Sequence, residues 1–174
     1  FQDKRKIGFS HTRFNRDTTG YRLIENVHMR INTMGMIQNI SLNTESRLNP
    51  DFTLQELNFE ISSGRFQFSV QGEVDGNSLH VTTESAGARR NLVIPVRQKL
   101  YLMSGIIDAL AATDLKAGDK YAFKIFDPAS MGQVDVVADV IGPERIAVDG
   151  TAELVTKTTP NLKQVSQTAC SGKD

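Results

Sequence analysis

A chain of 174 residues with 39% apolar side chains is long enough for one domain with its own hydrophobic core. Twenty Lys and Arg balance twenty Asp and Glu, and the basic clusters, Lys4-Arg5-Lys6 and Arg89-Arg90, are short, which argues against a nucleic-acid binder. The single cysteine, Cys170, can form neither an internal disulfide nor a thiolate metal cluster, and no apolar run approaches the roughly 18 residues of a membrane span.

Phe1 leads straight into strand-like sequence without an initiator Met. This reads as an excised or processed segment of a longer protein, as removal of an export signal would leave. Lys6 to Phe14 is the first expected strand, closed by the turn signal Asp17-Thr18-Thr19-Gly20. Tyr21, Leu23, Val27, Met29 and Ile31 then alternate with polar neighbours in a long strand, with Glu25 on the apolar side suggesting a bend or bulge. After Thr33-Met34-Gly35, Met36 to Leu48 keeps the register, with Ile40 and Leu42 inward, and Asn49-Pro50-Asp51 ends it.

From Phe52 to Val81 the sequence writes a β-meander. Phe59, Ile61, Phe66, Phe68, Val70, Leu79 and Val81 alternate, and Ser63-Gly64 and Asp75-Gly76-Asn77 supply the turns. Phe52 and Leu54 fall on even numbers and Leu57, Phe59 and Ile61 on odd ones, so a bulge or bend is expected near Gln55-Glu56, where the sheet would curl toward the helix. Ala86-Gly87-Ala88 and the two arginines mark a turn, and Asn91 to Val96, with Pro95, is either an edge strand or an extended crossing segment.

Leu100 to Thr113 carries the helical pattern, with Ser104 as candidate N-cap and Ile106, Ile107, Leu110 and Ala111 as the apolar face. Tyr121, Phe123 and Ile125 begin a second β region that Asp127-Pro128 halts. Gln133 to Ile141, Ile146 to Val148 and Ala152 to Thr158 read as further strands, separated by turns at Gly142-Pro143-Glu144 and Asp149-Gly150. Leu162, Val165 and Ala169 either make a last strand or fray. About ten strands and one helix predict a mainly β fold: a curved antiparallel sheet or half-barrel with the helix packed against it, in a single domain over 1–174.

Little in this pattern resembles catalytic machinery, and no cofactor or metal is expected. His11, His28 and His80 have no metal-ligand spacing and read as half-exposed strand residues. Cys170 lies in a polar tail, away from the rigid elements that preorganise nucleophiles, and reads as an incidental thiol. Asp108, Asp114, Asp119 and Asp127 cluster around the helix and the next turn but suit solvated and turn-forming positions. No phosphate-binding glycine motif occurs. The methionines are the mildly suggestive feature: Met29, Met34 and Met36 surround one hairpin, and Met103 starts the helix beside Tyr101. Flexible, polarizable Met suits both irregular core space and adaptable apolar surfaces. These five residues are the candidate lining of an apolar groove.

The order of motifs resembles a known region. It comprises Lys6-Ile7-Gly8-Phe9-Ser10, Gly20-Tyr21, Glu25-Asn26-Val27-His28-Met29-Arg30, Met34-Gly35, Phe59-Glu60-Ile61, Gly72-Glu73-Val74-Asp75-Gly76-Asn77, Leu115-Lys116-Ala117-Gly118-Asp119-Lys120-Tyr121 and Phe126-Asp127-Pro128-Ala129-Ser130. Together these are similar to the N-terminal, non-catalytic region of exported bacterial proteins with a transglutaminase-like domain downstream. The resemblance implies a periplasmic or otherwise exported accessory module. The Cys-His-Asp machinery would lie outside this chain, and Cys170 has no matching motif. The chain also resembles uncharacterised periplasmic β-proteins and, more distantly, the half-barrel of lipoprotein carriers, which implies the alternative of a lipid or hydrophobic-ligand carrier. The expected partners are the downstream domain, another envelope protein or a hydrophobic ligand, and the chain itself is expected to be neither an enzyme nor an integral membrane protein.

Overall fold

The computed structural model describes residues 7–33, 35–148, 151–162, 165–166 and 169–171, with the side chains of 7–32, 35–144 and 156–159. Met34, the Lys4-Arg5-Lys6 run and the Asp149-Gly150 turn lie outside these residues. The chain divides into two compact units, Phe1–Gln98 and Lys99–Asp174.

The first unit is a seven-stranded antiparallel meander in chain order: β1 (Gly8–Arg16), β2 (Tyr21–Thr33), β3 (Met36–Leu48), β4 (Leu54–Ser63), β5 (Phe66–Asp75), β6 (Ser78–Ser85) and β7 (Ala88–Pro95). Its turns follow from local chemistry. Asp17 Oδ1 accepts from the backbone N–H groups of Thr19 (2.7 Å) and Gly20 (2.9 Å) and from the Thr19 hydroxyl (2.8 Å). Those bonds, the Thr19 N–H first, hold the Asp17 carboxyl below its usual value. Gly20 admits no side chain, since a Cβ there would stand 2.0 Å from the Leu48 carbonyl oxygen. Gly64 and Gly76 each open a two-residue hairpin at positive φ, while in the Ala86-Gly87 turn both residues do.

The phase change near Gln55 is a β-bulge. Arg47 pairs with Glu56 but Leu48 pairs with Leu54, leaving Gln55 as the extra residue. Phe52 belongs to the preceding turn rather than to the strand, at φ 63, and stacks on Tyr21 (4.6 Å) and Phe14 (5.9 Å). Glu25 makes no bulge, because β2 pairs with β1 and β3 without interruption. Arg89 and Arg90 belong to β7, which is an edge strand, where Pro95 can lack a ladder donor without cost.

The second unit contains β8 (Leu100–Tyr101), α1 (Met103–Ala111), β9 (Lys120–Asp127), β10 (Gly132–Val148), β11 (Thr151–Leu162), β12 (Val165–Ser166) and β13 (Ala169–Ser171). The sheet order is β12-β11-β10-β9-β8, and β13 also pairs with β11. β8 runs parallel to β9, and α1 is part of the crossover that a parallel pair requires. Ile106 and Leu110 from α1 form a core with Ile125, Val136 and Ala138, and Tyr101 meets Phe123 edge to face at 5.1 Å. The carboxylates of Asp119 and Asp127 serve turns, Asp119 accepting from the Lys116 N–H and Asp127 from the Ala129 N–H and the Ser130 hydroxyl.

Three expectations are corrected here. Ser104 does not cap α1: Leu102 occupies the N-cap in extended conformation without a side-chain bond, and Ser104 lies within the first turn. Ile107 and Ala111 point away from the core, Ile107 being 46% exposed, so the buried stripe is Ile106 and Leu110 with Met103 beside them. Gly142-Pro143 does not end a strand. β10 runs through it, with a bulge at Ile141 and Gly142 at φ 123. Pro143 is tolerated because β9 pairs with β10 only as far as Asp139, so among the described residues no strand on that side needs its N–H.

Candidate functional site

Strict alternation gives the seven-stranded sheet two chemically distinct faces. On the apolar face the strand register sets side chains in rows that run across the sheet, and burial changes from row to row. Leu23, Ser46, Leu57, Gly72 and Val81 form one row across β2 to β6, and all are buried. The next row contains Glu25, Thr44, Phe59 and Val70, of which Phe59 and Val70 are buried. Then come Val27, Leu42, Ile61 and Phe68, directly opposite one another and all half-buried. Beyond them Met29 faces Ile40, and Ser63 faces Phe66, which is 54% exposed. Met36, at the end of the same face, is 65% exposed. The apolar face therefore opens progressively toward the β2–β3 and β4–β5 hairpins. Glu25 and Thr44 mark the boundary between its closed and half-open parts.

Met29 and Met36 both belong to this half-open end. Met34 falls outside the described residues. Tyr101 and Met103 belong to the second unit, where both pack beside the Ile106–Leu110 core. The row Val27–Leu42–Ile61–Phe68 was not singled out in the sequence as a site. Its signal was present in the alternation, but only the cross-strand register shows that the four residues are neighbours.

The histidines all lie exposed on the polar face. His28 stands against Phe9 with ring centroids 5.0 Å apart and its Nδ1 is 3.1 Å from the Ser41 hydroxyl, whereas His80 is on β6. Asp108 is the carboxylate that burial pushes above its usual value. Cys170 pairs in register with Lys157 across β13 and β11. Among the described residues no three His, Cys, Asp or Glu side chains come together as a metal site, and no helix is long and apolar enough to cross a membrane.

No family model matches the chain, and no curated protein matches it. Among solved structures, the chain is similar to a β-barrel-like protein of the domain of unknown function DUF1849 from Brucella abortus. That likeness has a TM-score of 0.65 at 12% identity and covers 89% of this chain and 69% of the other. It is also similar to a DUF1089 family protein from Pseudomonas aeruginosa, with a TM-score of 0.50 at 11% identity, over 90% of this chain and 88% of the other. Likeness at such identity is likeness of fold, a mainly β architecture; among the described residues the seven-stranded sheet of this chain is open, with β1 and β7 as its edges.

Proposed function

We propose that this chain is a non-catalytic binding module of the bacterial cell envelope, working through the half-open end of the apolar face of its seven-stranded sheet. The observation that carries this reading is the burial gradient along that face. Leu23, Leu57 and Val70 are sealed, Val27, Met29, Leu42, Ile61 and Phe68 are half-covered, and Phe66 and Met36 are open. Contiguous apolar surface left open in this way is a common mark of a surface that takes a partner. Met29 and Met36 give it adaptability. The resemblance to regions preceding an exported transglutaminase-like domain supports an accessory role, with the apolar group supplied by that domain or by another envelope protein.

A second reading, a carrier of acyl chains, is favoured by the four-residue row Val27–Leu42–Ile61–Phe68, an unbroken apolar stripe crossing four strands. Native mass spectrometry of the full chain, exported to the periplasm and purified without detergent, separates the two. An accessory module appears at the bare polypeptide mass, and a carrier retains an acyl lipid that organic extraction removes. Hydrolase or transferase turnover by the purified chain would contradict the non-catalytic assignment.

A further inference from the structure

The opposite face of the same sheet carries a second feature, independent of the apolar end. A shallow depression of about 300 Å³ crosses β2 to β5; its lining includes Asn26, Asn43, Glu45, Asn58, Glu60 and Gln71 of this face, together with Thr44, Phe59 and Val70 from the strand positions between them. The register explains the grouping. Asn26 faces Asn43, Asn43 faces Glu60, Glu45 faces Asn58 and Asn58 faces Gln71, so two adjacent rows meet in one patch. None of the four amide side chains is engaged by another described group. The two carboxylates are held from the sides, Glu45 by Arg22 at 2.5 Å and Glu60 by the Gln67 amide at 2.7 Å. A second depression shares Asn58 and Gln71 with the first and continues to Glu73 and His80, so the trough runs across the strands.

We infer that this trough binds a linear polyhydroxylated chain, a glycan of extended pyranose units lying across the strands. Side-chain amides each offer two donors and an acceptor, and carboxylates accept two hydroxyl bonds, which is the chemistry vicinal diols require. No Lys or Arg lines either depression, so phosphate-bearing or acidic polymers are disfavoured by charge and a neutral hydroxylated chain is not. The strands repeat roughly every 4.8 Å across the sheet, close to the rise of one pyranose in an extended chain. Successive sugars therefore meet successive strands. Half-buried Ile24, opposite Glu45, supplies apolar surface for a ring's C–H face.

The test is a two-dimensional proton–nitrogen NMR titration of the full chain with chitohexaose and, separately, cellohexaose. The side-chain NH2 signals of Asn26, Asn43, Asn58 and Gln71 report directly. The expected result is a saturable shift of these signals and of backbone amides along β2 to β5, with a Kd of about 1 mM or tighter. The doubly substituted Asn43→Ala, Asn58→Ala chain should bind about tenfold more weakly. A Phe68→Asp chain, altered on the apolar face, should shift as the parent does. Absence of shifts with both oligosaccharides, or shifts confined to other surfaces, overturns the inference and leaves the reading of the apolar end untouched.

Discussion

Ser46 sits between Leu23 on β2 and Leu57 on β4, 2% exposed, and its hydroxyl has no hydrogen-bond partner among the described residues. A buried hydroxyl without a partner costs about 1–3 kcal/mol. Ser46→Ala removes that group and leaves little empty volume, so it is expected to raise the unfolding free energy by about 1 kcal/mol in a urea titration. Destabilisation would show that the hydroxyl is satisfied. Ala86 holds φ 50 in the first position of its hairpin turn, a conformation that costs an L-residue with a Cβ about 1 kcal/mol and that Asn tolerates better. Ala86→Asn is therefore expected to stabilise by about 0.5 kcal/mol, read as a higher urea midpoint at unchanged slope. Gly20→Ala does the reverse, because its Cβ would meet the Leu48 carbonyl oxygen and drive the Asp17 turn open. Phe52 holds a positive φ, and its buried ring stacks on Tyr21 and Phe14.

At the scale of the element, α1 shows electrostatics working against the fold. Asp108 is half-buried on the C-terminal half of a helix with no basic residue in its last turn, and burial raises its carboxyl above 3.8. The folded chain thus holds that proton more tightly than the unfolded one. The Asp108 contribution becomes less favourable as pH rises from 3.8 through the folded value, then stays constant. Asp108→Asn is expected to raise Tm at pH 7, with the difference from the parent shrinking toward pH 3.8, followed by circular dichroism. An equal difference at both pH values would assign the gain to something other than ionisation. The elements were legible where alternation was uninterrupted: Tyr21 to Thr33 and Met36 to Leu48 fold as two paired strands, and the shift from Leu54 to Leu57 marks a real bulge. Reading failed where a local signal has two structural outcomes. Gly142-Pro143 is an ordinary turn signal, yet β10 outruns β9 and can carry both residues in a strand. Apolar Ile107 is exposed because the surface of a nine-residue helix meets its sheet along a narrow stripe.

Across the whole molecule, the seven-stranded meander was legible from its turns, but the boundary between Gln98 and Lys99 carries no linker composition and leaves no mark in the sequence. The candidate site was half legible. Met29 and Met36 could be placed at one hairpin, whereas Val27, Leu42, Ile61 and Phe68 become a stripe only once the register brings four strands together. Tyr101 and Met103 pack beside the second unit's core, an outcome that composition cannot distinguish from a groove rim. The amides of the polar face escaped notice for the same reason: singly, each is an ordinary solvated strand position. The most direct measurement on the half-open apolar end, whether a partner's side chains or an acyl chain covers it, is a fluorescence titration of the full chain with a dansyl-labelled undecanoic acid, used as a probe of open apolar surface. Saturable, blue-shifted emission with a Kd of about 1–10 μM is expected, weakened about tenfold or more in Met29→Asp and in Phe68→Asp and unchanged in Asn43→Ala, with all variants retaining the parent's circular dichroism. Emission that never saturates, or that is insensitive to both apolar-face substitutions, would contradict the assignment of that surface as the binding site.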